Sequence, residues 1–128
     1  ANNQFVFKLG TNPNLKIFVA HGGGYLPAYS ARIDHAWGAR PDCSGYYLKH
    51  KPSDYLKRMY FDTVVFSFDQ LKYLIDQYGA DHIVMGTDYP YDMAEDDPIE
   101  HVIGTEGLTD NDYSLITGGN ACKLFKIV

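Results

Sequence analysis

The sequence predicts an α/β fold built on a parallel sheet, and three observations carry that prediction. Short apolar runs alternate with stretches of helical periodicity, the pattern of βαβ units. The apolar runs show no alternating polar face, so they need cover on both sides, as strands of a parallel sheet have. Two polar residues, His21 and Asp88, fall where two of those runs end, at the edge where parallel α/β folds bind ligands.

The elements follow in chain order. Phe5–Leu9 reads as the end of a helix, with Gly10 as its C-cap, and Thr11–Asn14 as a turn. Leu15–Ala20 is a buried strand running into His21. Gly22-Gly23-Gly24 forms a loop, and Tyr25–Trp37 a helix with Pro27 in its first turn. Arg40–Ser53, broken by Pro41, Gly45 and Pro52, is a loop with room for one helical turn. Met59–Val65 is the second strand. Ser67–Tyr78 is the clearest helix: Leu71, Leu74, Ile75 and Tyr78 repeat at i, i+3, i+4, i+7. Ser67 with Gln70 makes a capping box and Gly79 ends the helix. His82–Met85 is the third strand and runs into the loop Gly86–Pro90. Asp97–Ile103 is a short helix. Thr109 caps Asp110–Ile116 with Asp112 as the capping-box acid, and Asn120–Phe125 is the last helix. Three strand-helix units fit a small α/β sandwich, and equally the last three units of a barrel that takes about 250 residues.

Composition narrows the function. The formal net charge is −5, with no basic stripe, which argues against a nucleic-acid partner. No apolar run approaches the roughly 18 residues that cross a membrane. Cys43 and Cys122 are isolated and lack metal-ligand spacing; they read as reduced thiols of a cytoplasmic protein with structural roles. The eleven tyrosines suit a large protein contact or a polar-lined pocket.

His21 and Asp88 are the candidate catalytic residues. An imidazole holds a divalent metal or shuttles protons near neutral pH. A carboxylate is a hard anionic metal ligand and accepts a proton from metal-bound water. Gly22-Gly23-Gly24 lacks the spacing of a dinucleotide loop and the lysine of a phosphate-binding loop. Its expected role is a sharp turn close to a substrate.

The run Phe18-Val-Ala-His21-Gly-Gly-Gly24, followed by Ala31-Arg32-Ile-Asp-His-Ala-Trp37, resembles the sixth strand and helix of the metal-dependent decarboxylases of the amidohydrolase superfamily. These are the 2-amino-3-carboxymuconate-6-semialdehyde and γ-resorcylate type. Tyr60-Phe-Asp-Thr63, Gly86-Thr-Asp-Tyr-Pro90 and Gly119-Asn-Ala121 are similar to the seventh strand, the eighth strand and the closing helix. The resemblance spans nearly the whole chain. It implies that residues 1–128 are the C-terminal part of one amidohydrolase-type (β/α)8 barrel, TIM-type, with strands six to eight present and the N-terminal half absent.

The resemblance also implies roles. Asp88 matches the eighth-strand metal ligand. His21 matches the sixth-strand histidine that acts as acid–base beside the metal. Arg32, eleven residues after His21, matches a substrate-carboxylate ligand, a task that suits a guanidinium fork. Tyr91 matches an aromatic that lines the substrate pocket, whereas His35 and Trp37 read as packing or interface residues. The cofactor implied is one divalent metal, Zn2+ or Mn2+, held only together with ligands that this chain lacks, a His-x-His pair and a fifth-strand His. The expected activity is non-oxidative decarboxylation of an aromatic or muconate-like carboxylic acid by a homodimer or higher homo-oligomer. A hydrolase on the same barrel, or an inactive truncated fragment, are the alternatives.

Overall fold

The computed structural model describes residues 8–43 and 48–127. The chain divides into two compact units, one drawn from Ala1–Ile17 and Tyr25–Met59, the other from Phe18–Gly24 and Tyr60–Val128.

The second unit carries the sheet. Strands β1 (Phe18–Val19), β2 (Tyr60–Asp62) and β3 (Ile83–Val84) are parallel and lie in the order β1-β2-β3. Phe18 pairs with Tyr60 and Val19 with Phe61; Phe61 pairs in turn with Ile83, and Asp62 with Val84. This is the α/β architecture with a parallel sheet that the sequence predicts, but each strand is shorter than its apolar run. A ladder lasts only as long as a neighbour keeps register, and β1 and β3 are edges among the described residues. Past β3, the Met85 N–H leaves the sheet for the Ile116 carbonyl at 3.0 Å. Past β2, the Val64 N–H is taken by the Asp62 carboxylate at 3.1 Å.

Helix α3 (Phe68–Tyr78) forms where the spacing predicts it, and Leu71, Leu74, Ile75 and Tyr78 are its buried residues. Each such side chain contributes about 1.5–3 kcal/mol on burial. The Ser67 hydroxyl accepts the Gln70 N–H, and Gly79, with φ 87°, closes the helix. Phe61 is fully buried, its ring 4.7 Å from that of Tyr78. Asp97 caps α4 (Pro98–Ile103) by accepting the Glu100 N–H at 2.9 Å.

The capping box of Thr109 and Asp112 opens α5 (Asp110–Ser114) as predicted. The two expected terminal helices prove to be one. The chain continues through a π-helical segment, Leu115–Gly119, into α6 (Asn120–Phe125). The wider turn seats buried Asn120, whose amide donates to the carbonyls of Ala80 and Ile83, both at 2.7 Å.

The first unit is helical. Residues 8–11 are in a helix, so Gly10 lies inside it rather than capping it. A Cβ at Gly10 would come within 2.9 Å of Leu48 Cδ2 and 3.4 Å of Tyr55 Cε1, so the glycine permits a close approach. The earlier part of that predicted helix, residues 5–7, lies outside the described residues. Helix α1 is Ser30–Ala39, beginning later than the expected Tyr25. Pro27 disfavours helical geometry in the residue before it, and residues 24–29 form turns instead. Helix α2 (Pro52–Leu56) starts on Pro52, at the end of the predicted loop Arg40–Ser53, of which residues 44–47 lie outside the described residues. The Ser53 N–H donates to Asp34 on α1 at 2.8 Å, tying the two helices.

Cys43 and Cys122 are not joined in a disulfide. Among the described residues no helix is long and apolar enough to cross a membrane.

Candidate active site

The second unit brings His21 and Asp88 together. His21 opens a tight turn, His21–Gly23, directly after β1 and Ala20. Its φ is 56°, and Gly22, Gly23 and Gly24 also have positive φ. Left-handed backbone costs a residue with a side chain about 1–2 kcal/mol and is nearly free for glycine, which explains the glycine run. Gly22 is required twice over, because a Cβ there would come within 2.3 Å of Val65 Cγ1.

Asp88 also has left-handed backbone, φ 62°. Its loop is pinned on both sides. Thr63 Oγ1 accepts the Gly86 N–H at 3.2 Å. The Thr87 carbonyl accepts the Glu95 N–H at 2.7 Å, and the Thr87 hydroxyl accepts the Tyr89 N–H at 3.1 Å. The Asp88 carbonyl accepts the Tyr91 N–H at 3.0 Å. Non-glycine residues held in strained backbone persist where the surroundings over-determine them, and they cluster at active sites. Of the four such residues described, His21, Phe66, Asp88 and Lys126, two are the predicted catalytic pair.

His21 Nε2 lies 3.5 Å from Asp88 Oδ1, with the imidazole 63% exposed and the carboxylate 26% exposed. The pair can exchange a proton with a bound molecule, or place a nitrogen and an oxygen donor on one cation. A catalytic divalent metal takes three protein ligands or more. The two donors therefore fit one side of such a site and not a whole one. Among the described residues no group of three His, Cys, Asp or Glu side chains is placed to hold a metal.

The remaining predicted residues are placed differently. Tyr91 follows Asp88 in the same loop and is 69% exposed. Arg32 and His35 are exposed on α1, in the helical unit. A cavity of about 290 Å³ is lined by Phe66, Phe68, Glu95, Asp97, Glu100 and His101; none of the predicted site residues is among them.

One residue escaped the sequence reading. Asp62, at the end of β2 and only 5% exposed, accepts three backbone N–H groups: His21 at 2.9 Å on Oδ2, Gly22 at 2.8 Å and Val64 at 3.1 Å on Oδ1. A signal was present in the sequence. Asp62 is a carboxylate inside the predicted strand Met59–Val65, a place where a charge needs buried partners.

Comparison with known proteins agrees with this architecture. Residues 9–127 match the family described as Amidohydrolase. The 2-amino-3-carboxymuconate-6-semialdehyde decarboxylase of Dictyostelium discoideum is 33% identical over 111 residues, 87% of this chain and 31% of that protein. The crystal structure of 5-carboxyvanillate decarboxylase from Sphingomonas paucimobilis superposes with a TM-score of 0.82 at 30% identity, over 97% of this chain and 37% of that one. A dihydroxybenzoic acid decarboxylase from Polaromonas, with bound manganese and the inhibitor 2-nitroresorcinol, superposes with a TM-score of 0.77 at 32% identity, over 93% of this chain and 36% of that one. The chain thus spans about a third of the length of these relatives. Its fold is that of part of an amidohydrolase-type barrel, and the chain belongs to the amidohydrolase family.

Proposed function

We propose that this chain is the C-terminal part of a metal-dependent, non-oxidative decarboxylase, contributing the last three βα units and closing helices of its barrel. The substrate would be an aromatic or muconate-like carboxylic acid. The carrying observation is the convergence of His21 and Asp88 to 3.5 Å on two left-handed turns at the ends of β1 and β3. The relatives named above, all called decarboxylases, support the choice of chemistry.

Asp88 would be one ligand of a divalent metal, zinc or manganese, completed by residues beyond this chain. The bound ion supplies stabilisation of negative charge as it develops. The chain's own residues would do the rest. Arg32 offers a forked donor for the substrate carboxylate. Tyr91 borders the substrate. The bond from the substrate carbon to its carboxylate breaks, CO2 leaves, and the carbon takes a proton. His21 would hold that proton at Nε2 and deliver it, since an imidazole changes charge in the working pH range.

The test uses the protein expressed from its whole reading frame and measures CO2 release from carboxylated aromatic and muconate-like acids. His21→Ala and Asp88→Ala should each abolish turnover. Near-normal rates in either variant would sink the assigned roles. A product that has gained water without releasing CO2 would replace the decarboxylase by a hydrolase on the same barrel.

A further inference from the structure

We infer that Asp62 is a positioning residue of the reaction, setting the reach of His21 by gripping the backbone on which His21 sits; the inference rests on the acid–base role proposed for His21. The two Asp62 oxygens are used by three backbone donors, and the division between them matters. Oδ2 takes the His21 N–H alone, while Oδ1 takes both Gly22 and Val64. The His21 side chain is largely exposed, and its left-handed backbone is unfavourable for a residue with a Cβ. Left to itself, this turn would relax toward ordinary backbone and swing the imidazole away from Asp88. A buried carboxylate that accepts the N–H groups of two successive left-handed residues favours the observed conformation, and charge-assisted bonds of this kind are about twice as strong as neutral ones.

The third strand closes the device. A Cβ at Gly86 would stand 3.2 Å from Asp62 Cβ and 3.4 Å from Val64 Cγ2, so glycine there lets the strand carrying Asp88 pass directly against Asp62. One carboxylate at the centre of the sheet edge thereby relates the turn of His21 to the loop of Asp88.

Asp62→Asn is the discriminating substitution because it preserves shape. With the amide oxygen at the Oδ1 position, Gly22 and Val64 keep an acceptor, and only the His21 N–H loses its own. In the protein expressed from its whole reading frame, kcat should fall about ten- to hundredfold, with KM held within about twofold, as for an interaction used only in the transition state. A kcat within about twofold of the parent, or a raised KM with kcat intact, overturns the inference.

Amide hydrogen exchange on the unsubstituted protein answers the structural half without any variant. The His21 and Gly22 N–H groups should exchange at least about a hundredfold more slowly than in a free peptide, although His21 is exposed, because both donate to the buried Asp62 carboxylate. Free-peptide rates at His21 overturn the inference. If His21→Ala leaves kcat untouched, the functional reading fails and takes the catalytic part of this inference with it. The exchange result tells that failure apart from a carboxylate that does not grip the turn.

Discussion

The two units of the chain hold their chemistry-bearing side chains in different ways. In the sheet unit, Asp88 follows β3, whose Ile83 and Val84 are buried, and His21 follows the more exposed β1, which pairs with buried Phe61 of β2. Their turns are tied again by Asp62 and Thr63. In the helical unit, Arg32 rides on α1, which has ten residues and no buried side chain. That helix is tied through Asp34 to the Ser53 N–H and to Lys51. The comparison teaches that residue type does not by itself make a site. A reacting group needs a backbone with few alternatives, and the sheet edge supplies one where the bare helix does not.

The comparison can be broken most forcefully at Phe61. Phe61→Ala empties the centre of the sheet unit and should destabilise the protein by about 3–5 kcal/mol, read from urea unfolding. A loss below about 1 kcal/mol would mean that the sheet unit is no better anchored than α1. Asn120→Ala comes next. It removes the donor to the carbonyls of Ala80 and Ile83 and should cost about 1–3 kcal/mol, with exchange quickening around Ala80–Val84. A variant as stable as the parent would show that the π-helical segment is not what secures β3.

The smallest effect sharpens the comparison at the surface. The Asp112 carboxyl is held below its usual range, first by the Thr109 backbone N–H and then by the Thr109 hydroxyl. Its folded-state pKa is depressed, so its contribution to stability is present above the unfolded value, about 3.9, and is lost as pH falls through the lower folded value. The protection of the Thr109 N–H relative to a free peptide at the same pH should fall over that acid window and hold near neutrality. Asp112→Asn should remove the pH dependence while leaving the buried strands protected. A pH dependence that survives the substitution would point to another carboxylate.

Much of the fold was legible. Helix α3 was readable because its spacing, its Ser67 cap and its Gly79 stop all agree, and the Thr109–Asp112 box was readable for the same reason. His21 and Asp88 were legible from their positions after apolar runs. The start of α1 was not, since Pro27 sits comfortably inside a first turn or ahead of one, and sequence does not separate the two. Strand lengths were not legible either, because apolar runs record burial, whereas a strand ends where its neighbour stops pairing.

The sequence by itself determined the parallel α/β class, the order of the elements and the pair of residues at the strand ends, because periodicity, caps and turn residues are local properties. Only the tertiary structure decided three further things. It made one helix of two, set His21 within 3.5 Å of Asp88, and gave Asp62 the backbone donors of His21 and Gly22. Each depends on a partner 37 or more residues away in the chain. Contacts over that distance are written in packing, which no local pattern encodes.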